Sequence, residues 1–505
     1  MRGEGLLTLG SWLGERARVT PERVAIDFGG ALTTYGELDR QARALAAALH
    51  GRGLRHGDRL ATLTGNRPEH VAAFFACARA GLVLCPLNWR LAPAELAVQL
   101  DDAEPALLLV EREHESLAEA ALALARVRPD RVSIEEDPGE DHGDVPPSAV
   151  ADGDPLLLVY TSGSTGRPKG ALLTHTNCFW TNLGFDLAAG VSAEDVVLAT
   201  LPQFHVGGWN VHTLLAVWKG ATLVLERSFE PARALDLIER KCVTTMMGVP
   251  ATYLFLAQQP GFAEADLSSL RRAVVGGAPM PEALLATWAA RGVAIVQGYG
   301  LTEAAPNVLC LPPEDAERKR GCAGKPYPYV EVALRDVASG RHVEGAGRGE
   351  LLVRGPNVFA GYWRNDAATA EVLVDGWLVT GDVADRDEEG YLRISGRLKE
   401  MYISGGENVY PAEIETVLAA IPGVAEAAVV AVPDARWGEA GIAFVALERG
   451  AALTEAELLD HLRERLASYK VPRSVRFLPE LPRSGVGKVL RGELQASLER
   501  ELVAP

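Results

Sequence analysis

The stretch Leu156-Leu-Leu-Val-Tyr-Thr-Ser-Gly-Ser-Thr-Gly-Arg-Pro-Lys-Gly170 joins an apolar segment directly to a loop rich in glycine and hydroxyl side chains. Its first part, residues 156–160, predicts a buried strand. The glycines that follow allow a tight turn that brings backbone N–H groups close to an anion, and Lys169 adds positive charge. A phosphate-binding loop is therefore predicted, although an ordinary Ser/Gly/Thr surface turn has a similar composition. The P-loop NTPase spacing, GxxxxGK followed by Ser or Thr, is absent, so that class is excluded.

The residues before this loop alternate between helix and strand signals. Thr34-Tyr-Gly-Glu37 has the spacing of a capping box, and apolar residues after it recur on one helical face as far as Leu49. A strand signal follows at residues 59–64, then a helix signal at 68–80 and an apolar segment at 82–86. This order predicts βα units stacked into a parallel or mixed sheet.

Later regions have different patterns. Residues 130–154 are rich in Asp, Glu and Pro and indicate a solvated connection between two subdomains. The turn-rich segment 325–395 contains short strand signals and predicts a small β-rich subdomain. Beyond it, helix signals at 411–421 and 454–466 flank a strand signal at 424–432, which predicts an α+β unit.

The fold class that we predict is α/β. At 505 residues the chain is too long for one compact core, so several domains are expected. Residues 1–397 are predicted to form a large N-terminal body of two α/β subdomains plus the small β-rich subdomain. Residues 398–505 are predicted to form a mobile α+β C-terminal domain.

Charge and cysteine usage exclude several classes of protein. A net charge of -17 repels polyanions, so nucleic acid and anionic membrane are not expected as partners of the whole surface. The six cysteines lack CxxC or His-interleaved spacing, which argues against zinc and disulfides and fits a reducing cytoplasm. Residues 1–13 show no signal peptide, and the longest apolar stretch, 71–87, is interrupted by Arg79, so no membrane-spanning segment is predicted.

The decapeptide from Thr161 to Gly170 resembles the ATP-phosphate signature of the adenylate-forming superfamily, which includes acyl-CoA synthetases, firefly luciferase and adenylation domains of peptide synthetases. The resemblance covers nearly the whole chain, because seven further segments match in the family's order: Leu201-Pro-Gln-Phe-His-Val-Gly-Gly208, Gly276-Gly-Ala-Pro-Met280, Gln297-Gly-Tyr-Gly-Leu-Thr-Glu303, Thr380-Gly-Asp382, Gly396-Arg-Leu-Lys-Glu400, Ile403-Ser-Gly-Gly-Glu-Asn-Val-Tyr-Pro-Ala-Glu-Ile414 and Pro482-Arg-Ser-Gly-Val-Gly-Lys488. It implies an ATP-dependent acid:CoA ligase that forms an acyl-adenylate and then an acyl-CoA thioester.

The resemblance implies an ATP site built from three groups of residues. The first group holds the phosphates and comprises Thr161, Ser162, Gly163, Ser164, Thr165, Gly166 and Lys169. The second surrounds the adenine and comprises Gly277, Ala278, Pro279, Gln297, Gly298, Tyr299 and Gly300. The third binds the ribose, with Asp382 accepting hydrogen bonds from its hydroxyls and Arg397 as the ribose-binding partner of Asp382. Taken singly, an aromatic residue is more often part of a core, and an Asp or Arg more often part of a surface ion pair.

The same resemblance assigns the catalytic residues. Glu303, with Thr165, is implied as the ligand of Mg²⁺, a hard cation that needs few protein ligands. Thr302 precedes it in the motif. His205 is implied at the mouth of the acyl pocket, with Trp209 and Asn210 as candidates for its lining. Lys488 is implied to reach the substrate carboxylate and the α-phosphate, whereas without its motif it would be an ordinary solvated lysine.

Two half-reactions at one site require a moving part, because one fixed geometry serves both poorly. The resemblance implies a hinge at Lys399 and a tunnel for the pantetheine of coenzyme A lined by Gly405, Gly406 and Glu407, with Trp437 near the CoA adenine. A basic patch is also predicted to attract CoA, although it equally fits a solvated basic helix. Its members are Arg463, Arg465, Lys470, Arg473, Arg476, Arg483, Lys488 and Arg491.

The substrate remains open at this level. The motifs favour medium- or long-chain fatty acids, with aryl or phenylpropanoid acids as the alternative. A stand-alone adenylation module that loads a carrier protein, and an inactive nucleotide-binding scaffold, are two further readings. Members of the superfamily are often dimers, so a homodimer is an additional expectation.

Overall fold

The computed structural model describes residues 5–136, 150–161, 167–277, 280, 282–336, 339–398, 402–409, 411–448, 450–482, 489 and 491–503. Within these ranges the chain forms fifteen α-helices, which are α1 (Gly10–Val19), α2 (Tyr35–Gly51), α3 (Pro68–Ala80), α4 (Pro93–Ala103), α5 (Glu115–Leu124), α6 (His175–Ala189), α7 (Val206–Asn210), α8 (Thr213–Lys219), α9 (Pro231–Arg240), α10 (Pro250–Ala257), α11 (Glu282–Ala289), α12 (Asp366–Val372), α13 (Pro411–Ala419), α14 (Glu455–Arg463) and α15 (Arg491–Val503). None of these helices is long and apolar enough to cross a membrane.

One nine-stranded sheet runs through the large body. Its strands are β1 (Val24–Phe28), β2 (Ala31–Thr34), β9 (Val196–Ala199), β10 (Thr222–Leu225), β11 (Thr245–Gly248), β12 (Arg272–Val275), β13 (Ile295–Gly300), β14 (Asn307–Cys310) and β15 (Lys325–Pro326). Their order is β15-β14-β13-β12-β11-β9-β10-β1-β2, and the six strands from β13 to β1 are parallel.

A second sheet of the large body has seven strands among the described residues. They are β3 (Arg59–Leu63), β4 (Val83–Leu87), β5 (Leu107–Val110), β6 (Asp130–Ser133), β7 (Pro155–Thr161), β8 (Lys169–Thr174) and β18 (Gly361–Tyr362), in the order β18-β8-β7-β4-β3-β5-β6. The strands from β7 to β6 are parallel. All five residues of β4 are buried, as expected when helices cover both faces of a parallel sheet.

Two smaller sheets complete the fold. The β-rich subdomain contains β16 (Glu331–Arg335), β17 (Gly347–Arg354), β19 (Leu373–Val374), β20 (Trp377–Arg386) and β21 (Leu392–Arg397), all paired antiparallel. The C-terminal unit contains β22 (Tyr402–Ser404), β23 (Glu407–Val409), β24 (Val424–Asp434), β25 (Gly438–Leu447) and β26 (Ser474–Phe477), with its own buried core against α13 and α14.

The predicted α/β fold, with a β-rich subdomain and an α+β C-terminal unit, is therefore confirmed. The capping box is present as predicted, since Thr34 accepts a hydrogen bond from the backbone of Glu37 and the Glu37 carboxylate accepts one from Thr34. The prediction that residues 130–154 form only a solvated connection was wrong at its start, because β6 pairs with β5. The helix predicted for residues 454–466 ends earlier, at Arg463.

Asp195 fixes the entry to β9 through a buried network of hydrogen bonds. Only 1 % of its side chain is exposed, and its carboxylate accepts hydrogen bonds from Thr244 Oγ1 at 2.7 Å, the Ser192 backbone N–H at 2.8 Å and Arg271 at 2.8 Å. Burial favours the neutral acid, but these hydrogen bonds and the Arg272 charge outweigh it and lower the pKa of Asp195 to about 2.

We expect Asp195→Asn to lower the free energy of unfolding by about 2 kcal/mol at pH 7. A carboxyl whose pKa falls on folding stabilises the protein above its unfolded value, about 4, and this contribution disappears as the pH falls through the folded value near 2. Thermal unfolding of parent and variant should therefore differ less at pH 3 than at pH 7. Asp236→Asn, which removes an exposed ion pair with Arg240, serves as the control. A difference independent of pH would contradict this assignment.

Candidate functional site

A cavity of about 390 Å³ opens at the carboxyl ends of the parallel strands of both large sheets. Its walls come from the ends of β7, β12 and β13 and from the loops after β9 and β11. The C-terminal unit contributes Gly406, Glu407 and Tyr469. Loops at the carboxyl ends of parallel strands are the usual place for ligands in α/β folds, because the chain changes direction there and leaves a crevice.

Thr161 and Lys169, which flank the predicted phosphate loop in the sequence, both line the cavity. They are register partners at the ends of β7 and β8, and Thr161 Oγ1 donates to the Lys169 carbonyl at 3.3 Å. The predicted phosphate loop lies between these two residues in the sequence. Its predicted phosphate ligands Ser162, Gly163, Ser164, Thr165 and Gly166 lie outside the described residues.

Tyr362 links Lys169 to Glu303, the predicted metal ligand. The Lys169 ammonium lies 5.0 Å from the ring centroid of Tyr362, and the Tyr362 hydroxyl donates to Glu303 Oε1 at 2.7 Å. Glu303 follows Thr302 in a short 3-10 turn after β13, and both line the cavity. Tyr362, which sequence reasoning missed, is placed here because β18 pairs with β8. Nothing in its local sequence indicates this role.

The arrangement around Glu303 suits a magnesium ion. Among the described residues no group of three or more His, Cys, Asp and Glu side chains converges on a point where a metal ion could bind. Mg²⁺ usually keeps several waters and takes only one or two protein carboxylates besides phosphate oxygens. Glu303 offers a hard carboxylate oxygen oriented by Tyr362, which fits that coordination.

The described residues of the predicted adenine site lie along one wall, and the predicted ribose ligand Asp382 contacts one of them. Gly277, Tyr299 and Gly300 line the cavity, and the Tyr299 hydroxyl donates to Asp382 Oδ2 at 2.6 Å. Gly300 has no room for a side chain, since a Cβ there would lie 1.9 Å from the Pro306 carbonyl oxygen. Asp382 is 1 % exposed.

Other members of this predicted group are placed differently. Arg397 pairs with Asp382 across β20 and β21, although its side chain is outside the described set, as are Ala278 and Pro279. Gly298 lines the cavity. Gln297 instead supports the wall from behind, because its side chain accepts from the Met280 backbone N–H at 3.0 Å and donates to the Cys322 carbonyl at 3.3 Å.

His205 meets a carboxylate from the C-terminal unit. Nε2 of His205 lies 2.8 Å from Oε2 of Glu407, and Arg90 donates to the other Glu407 oxygen at 3.0 Å. Burial alone favours the neutral acid, but His205 and Arg90 hold the pKa of Glu407 below its ordinary value. Arg90 was missed from sequence, because it is 317 positions from its partner.

The turn beside Glu407 brings backbone close to the cavity. Gly405 and Gly406 both have positive φ, 60° and 83°, which favours glycine. A Cβ at Gly406 would lie 2.9 Å from Val249, and one at Gly405 would lie 2.8 Å from the Trp437 ring. Trp437 is 40 % exposed beside this turn. The predicted hinge Lys399 and the predicted catalytic Lys488 lie outside the described residues.

The far end of the cavity is apolar and partly aromatic. Its lining there includes Phe185, Val211, Met247, Leu309 and Tyr327. The expectation that Trp209 and Asn210 line this pocket was wrong. Trp209 is fully buried and stacks on Phe74 with 5.0 Å between ring centroids, and Asn210 is fully buried and bonded to Asn182.

The predicted basic patch is also corrected in part. Lys470 is only 4 % exposed and binds two carboxylates, so it cannot attract a ligand from solvent. Arg463, Arg473 and Arg491 each pair with a carboxylate of the C-terminal unit. These ion pairs neutralise the positive charges locally and so weaken the electric field of the patch. A count of charges along the sequence does not show this pairing.

Comparisons with known proteins identify the family. The model of the AMP-binding enzyme family matches residues 13–363, and that of the AMP-binding enzyme C-terminal domain matches residues 413–488. A feruloyl-CoA synthase of an Amycolatopsis species is 45 % identical over 98 % of this chain and 99 % of its own. An indoleacetate–CoA ligase of Aromatoleum aromaticum is 41 % identical over 98 % of this chain and 99 % of its own.

Among solved structures, the chain is similar to a double mutant of o-succinylbenzoate CoA synthetase from Bacillus subtilis, bound with a product analogue. The TM-score is 0.88 at 33 % identity, and the match covers 96 % of this chain and 98 % of that one. Two family models and relatives of matching length thus confirm the family that the motifs indicated. The chain therefore belongs to the AMP-binding enzyme family and, within it, to the acid:CoA ligases.

Proposed function

We propose that this cavity activates an aromatic carboxylic acid in two half-reactions. The carboxylate oxygen attacks the α-phosphorus of ATP and displaces pyrophosphate, and the CoA thiolate then attacks the acyl carbon and displaces AMP. The observation that carries the proposal is the single cavity, which joins the phosphate-loop side at Lys169 and Glu303 to an apolar pocket at Phe185. The carboxyl group must meet the α-phosphate of ATP in the first half-reaction and the thiol of CoA in the second.

Each side chain then has a role that its position supports. Lys169 and the loop after Thr161 would hold the ATP phosphates, and Glu303 would hold Mg²⁺, which neutralises phosphate charge when bound. Asp382 would accept hydrogen bonds from the ribose, because an ionised carboxylate is an acceptor only. His205, oriented by Glu407, would position the substrate carboxylate.

The C-terminal unit would change position between the two half-reactions. We place its boundary between residues 397 and 398, with Lys399 as the hinge. Gly406 and Glu407 line the cavity, and the second step would need a pantetheine tunnel beside them. Similarity along the whole chain to a structure that holds a product analogue supports this reading. Lys488 would reach the site after rotation, for adenylation.

The activities of the relatives described above support an aromatic substrate over a fatty acid. Ferulate, indoleacetate and o-succinylbenzoate all carry an aromatic ring joined to a carboxylate. The aromatic and apolar pocket lining at Phe185 and Tyr327 suits such a ring, since aromatic pairs gain energy beyond simple burial. The aryl alternative is therefore preferred here to the medium- or long-chain fatty acids that the motifs favoured.

A panel of acids tests the substrate class. With ATP, Mg²⁺ and CoA supplied, we expect kcat/KM for ferulate, 4-coumarate or indoleacetate to exceed that for octanoate and palmitate by at least about tenfold. A pocket of fixed depth discriminates by roughly 1–3 kcal/mol for each unaccommodated methylene. Acyl-CoA formation, followed by chromatography, is the measurement. Faster turnover of palmitate than of every aromatic acid would refute the aryl assignment but leave the ligase reaction intact.

The role of Lys488 is tested by separating the half-reactions. We expect Lys488→Ala to abolish acid-dependent ATP–pyrophosphate exchange, because the developing charge at the α-phosphate loses its cation. Thioester formation from a preformed acyl-adenylate should persist, since that step proceeds with Lys488 away from the site. Arg483→Ala, five residues earlier in the same segment, is the matched control. Equal loss of both half-reactions would rule out this division of labour.

The metal site is tested through the residue that orients its ligand. Tyr362→Phe removes the hydrogen bond to Glu303 while keeping the ring next to Lys169. We expect the Mg²⁺ concentration for half-maximal adenylation to rise roughly tenfold, as is usual when a group orienting a metal ligand is lost. Tyr391→Phe, remote from the cavity, should leave the Mg²⁺ requirement unchanged. An unaltered requirement in Tyr362→Phe would argue against Glu303 as the ligand.

A further inference from the structure

A buried lysine joins the C-terminal unit to the large body. Nζ of Lys470 donates to Glu413 Oε1 at 2.6 Å and to Glu95 Oε1 at 2.8 Å. Glu413 lies on α13 of the same unit, whereas Glu95 lies on α4 of the large body. The lysine side chain is 5 % exposed and each carboxylate side chain 12 %, so all three charges are largely removed from water.

The segment around Lys470 forms one of the contacts between the two units. Ser468–Lys470 is a 3-10 turn, and Ala467 just before it is buried in a cluster with Leu91, Leu96 and Leu100 of the large body. Tyr469 packs against this cluster and against the core of the C-terminal unit, and it also lines the cavity. The turn that carries Lys470 is therefore part of the cavity wall.

Both carboxylates help to keep the buried Lys470 side chain charged. Burial by itself lowers the pKa of a lysine, but Glu413 and Glu95 outweigh it and keep Lys470 charged. Burial raises the pKa of Glu413, against the opposing effect of Lys470, and the nearby Glu95 raises it further. Removing one partner of a buried ion pair leaves an uncompensated charge and is strongly unfavourable. When the units separate, Lys470 keeps Glu413 but loses Glu95.

We propose that the Glu95–Lys470 ion pair is a latch that holds the C-terminal unit in the position used for thioester formation, and that Lys470 is thus a positioning residue for the second half-reaction. The docked position is the one in which Gly406 and Glu407 line the cavity. The inference rests on the proposed two-step function. It assigns Lys470 to the contact between the units and not to an exposed surface that attracts CoA.

The large-body partner offers the cleaner test, because its change leaves the C-terminal unit intact. Glu95 also caps α4 by accepting from the Ala92 backbone N–H at 2.9 Å, a bond that Glu95→Gln retains. Glu37→Gln is the control, since the Glu37 carboxylate accepts the equivalent backbone bond at the start of α2, from the Thr34 N–H at 2.8 Å. Glu37 has no contact with the C-terminal unit among the described residues.

Two assays on the full chain separate the half-reactions. We expect Glu95→Gln to slow thioester formation from synthetic feruloyl-adenylate and CoA by roughly tenfold, because the docked population falls when the charge attraction is lost. Acid-dependent ATP–pyrophosphate exchange should be unchanged, and Glu37→Gln should be unchanged in both assays. Equal losses in both half-reactions, or no loss of thioester formation, would overturn the latch.

Variants of Lys470 distinguish a latch from a merely structural lysine. Lys470→Arg keeps the charge and should retain most thioester formation, whereas Lys470→Met should slow that step selectively. Thermal unfolding of each variant checks that the C-terminal unit is folded. If the folded Lys470→Met protein matched the parent in both steps, the latch would be refuted. Failure of the parent chain itself to form any acyl-CoA would refute the proposed function instead.

Discussion

The carboxyl ends of the parallel strands in two sheets open onto one crevice, and the whole site depends on this constraint. Because successive strands such as β11, β12 and β13 run in the same direction, the loops that follow them gather at one edge. The hairpin of β7 and β8 brings Thr161 and Lys169 to the same place from the other sheet. Glycines such as Gly300 then let backbone approach where a side chain would collide.

Buried charge is the second constraint, and it couples the two units of the chain. Glu407 is buried at their junction only because His205 and Arg90 of the large body compensate its charge. Lys470 is buried there with Glu95 and Glu413. A carboxylate and a lysine from the same unit thus each find partners in the large body. The docked arrangement therefore depends on electrostatic pairing as well as on the apolar packing around Ala467.

Sequence patterns predicted the fold class and several of its elements, because hydrophobic period and caps are local properties. The capping box at Thr34, the helix Pro68–Ala80 and the β-rich subdomain were found in this way. Edge strand β6 was missed because its residues are polar and half-exposed, and its pairing partner supplies the missing information. Gln297 belonged to a matching motif, yet its side chain supports the wall from behind, which no linear pattern distinguishes.

The sequence by itself determined the order of the motifs, and through their resemblance the class of enzyme and the identity of Lys169, Glu303 and Asp382 as candidates. Only the tertiary structure decided which side chains meet. Tyr362 reaches Glu303 from 59 positions away, and Lys470 reaches Glu95 from 375 positions away. The physical reason is that a local pattern reports which residues are apolar, helical or charged. A hydrogen bond or buried ion pair depends on strand register and on the docking of separate units, which the pattern does not encode.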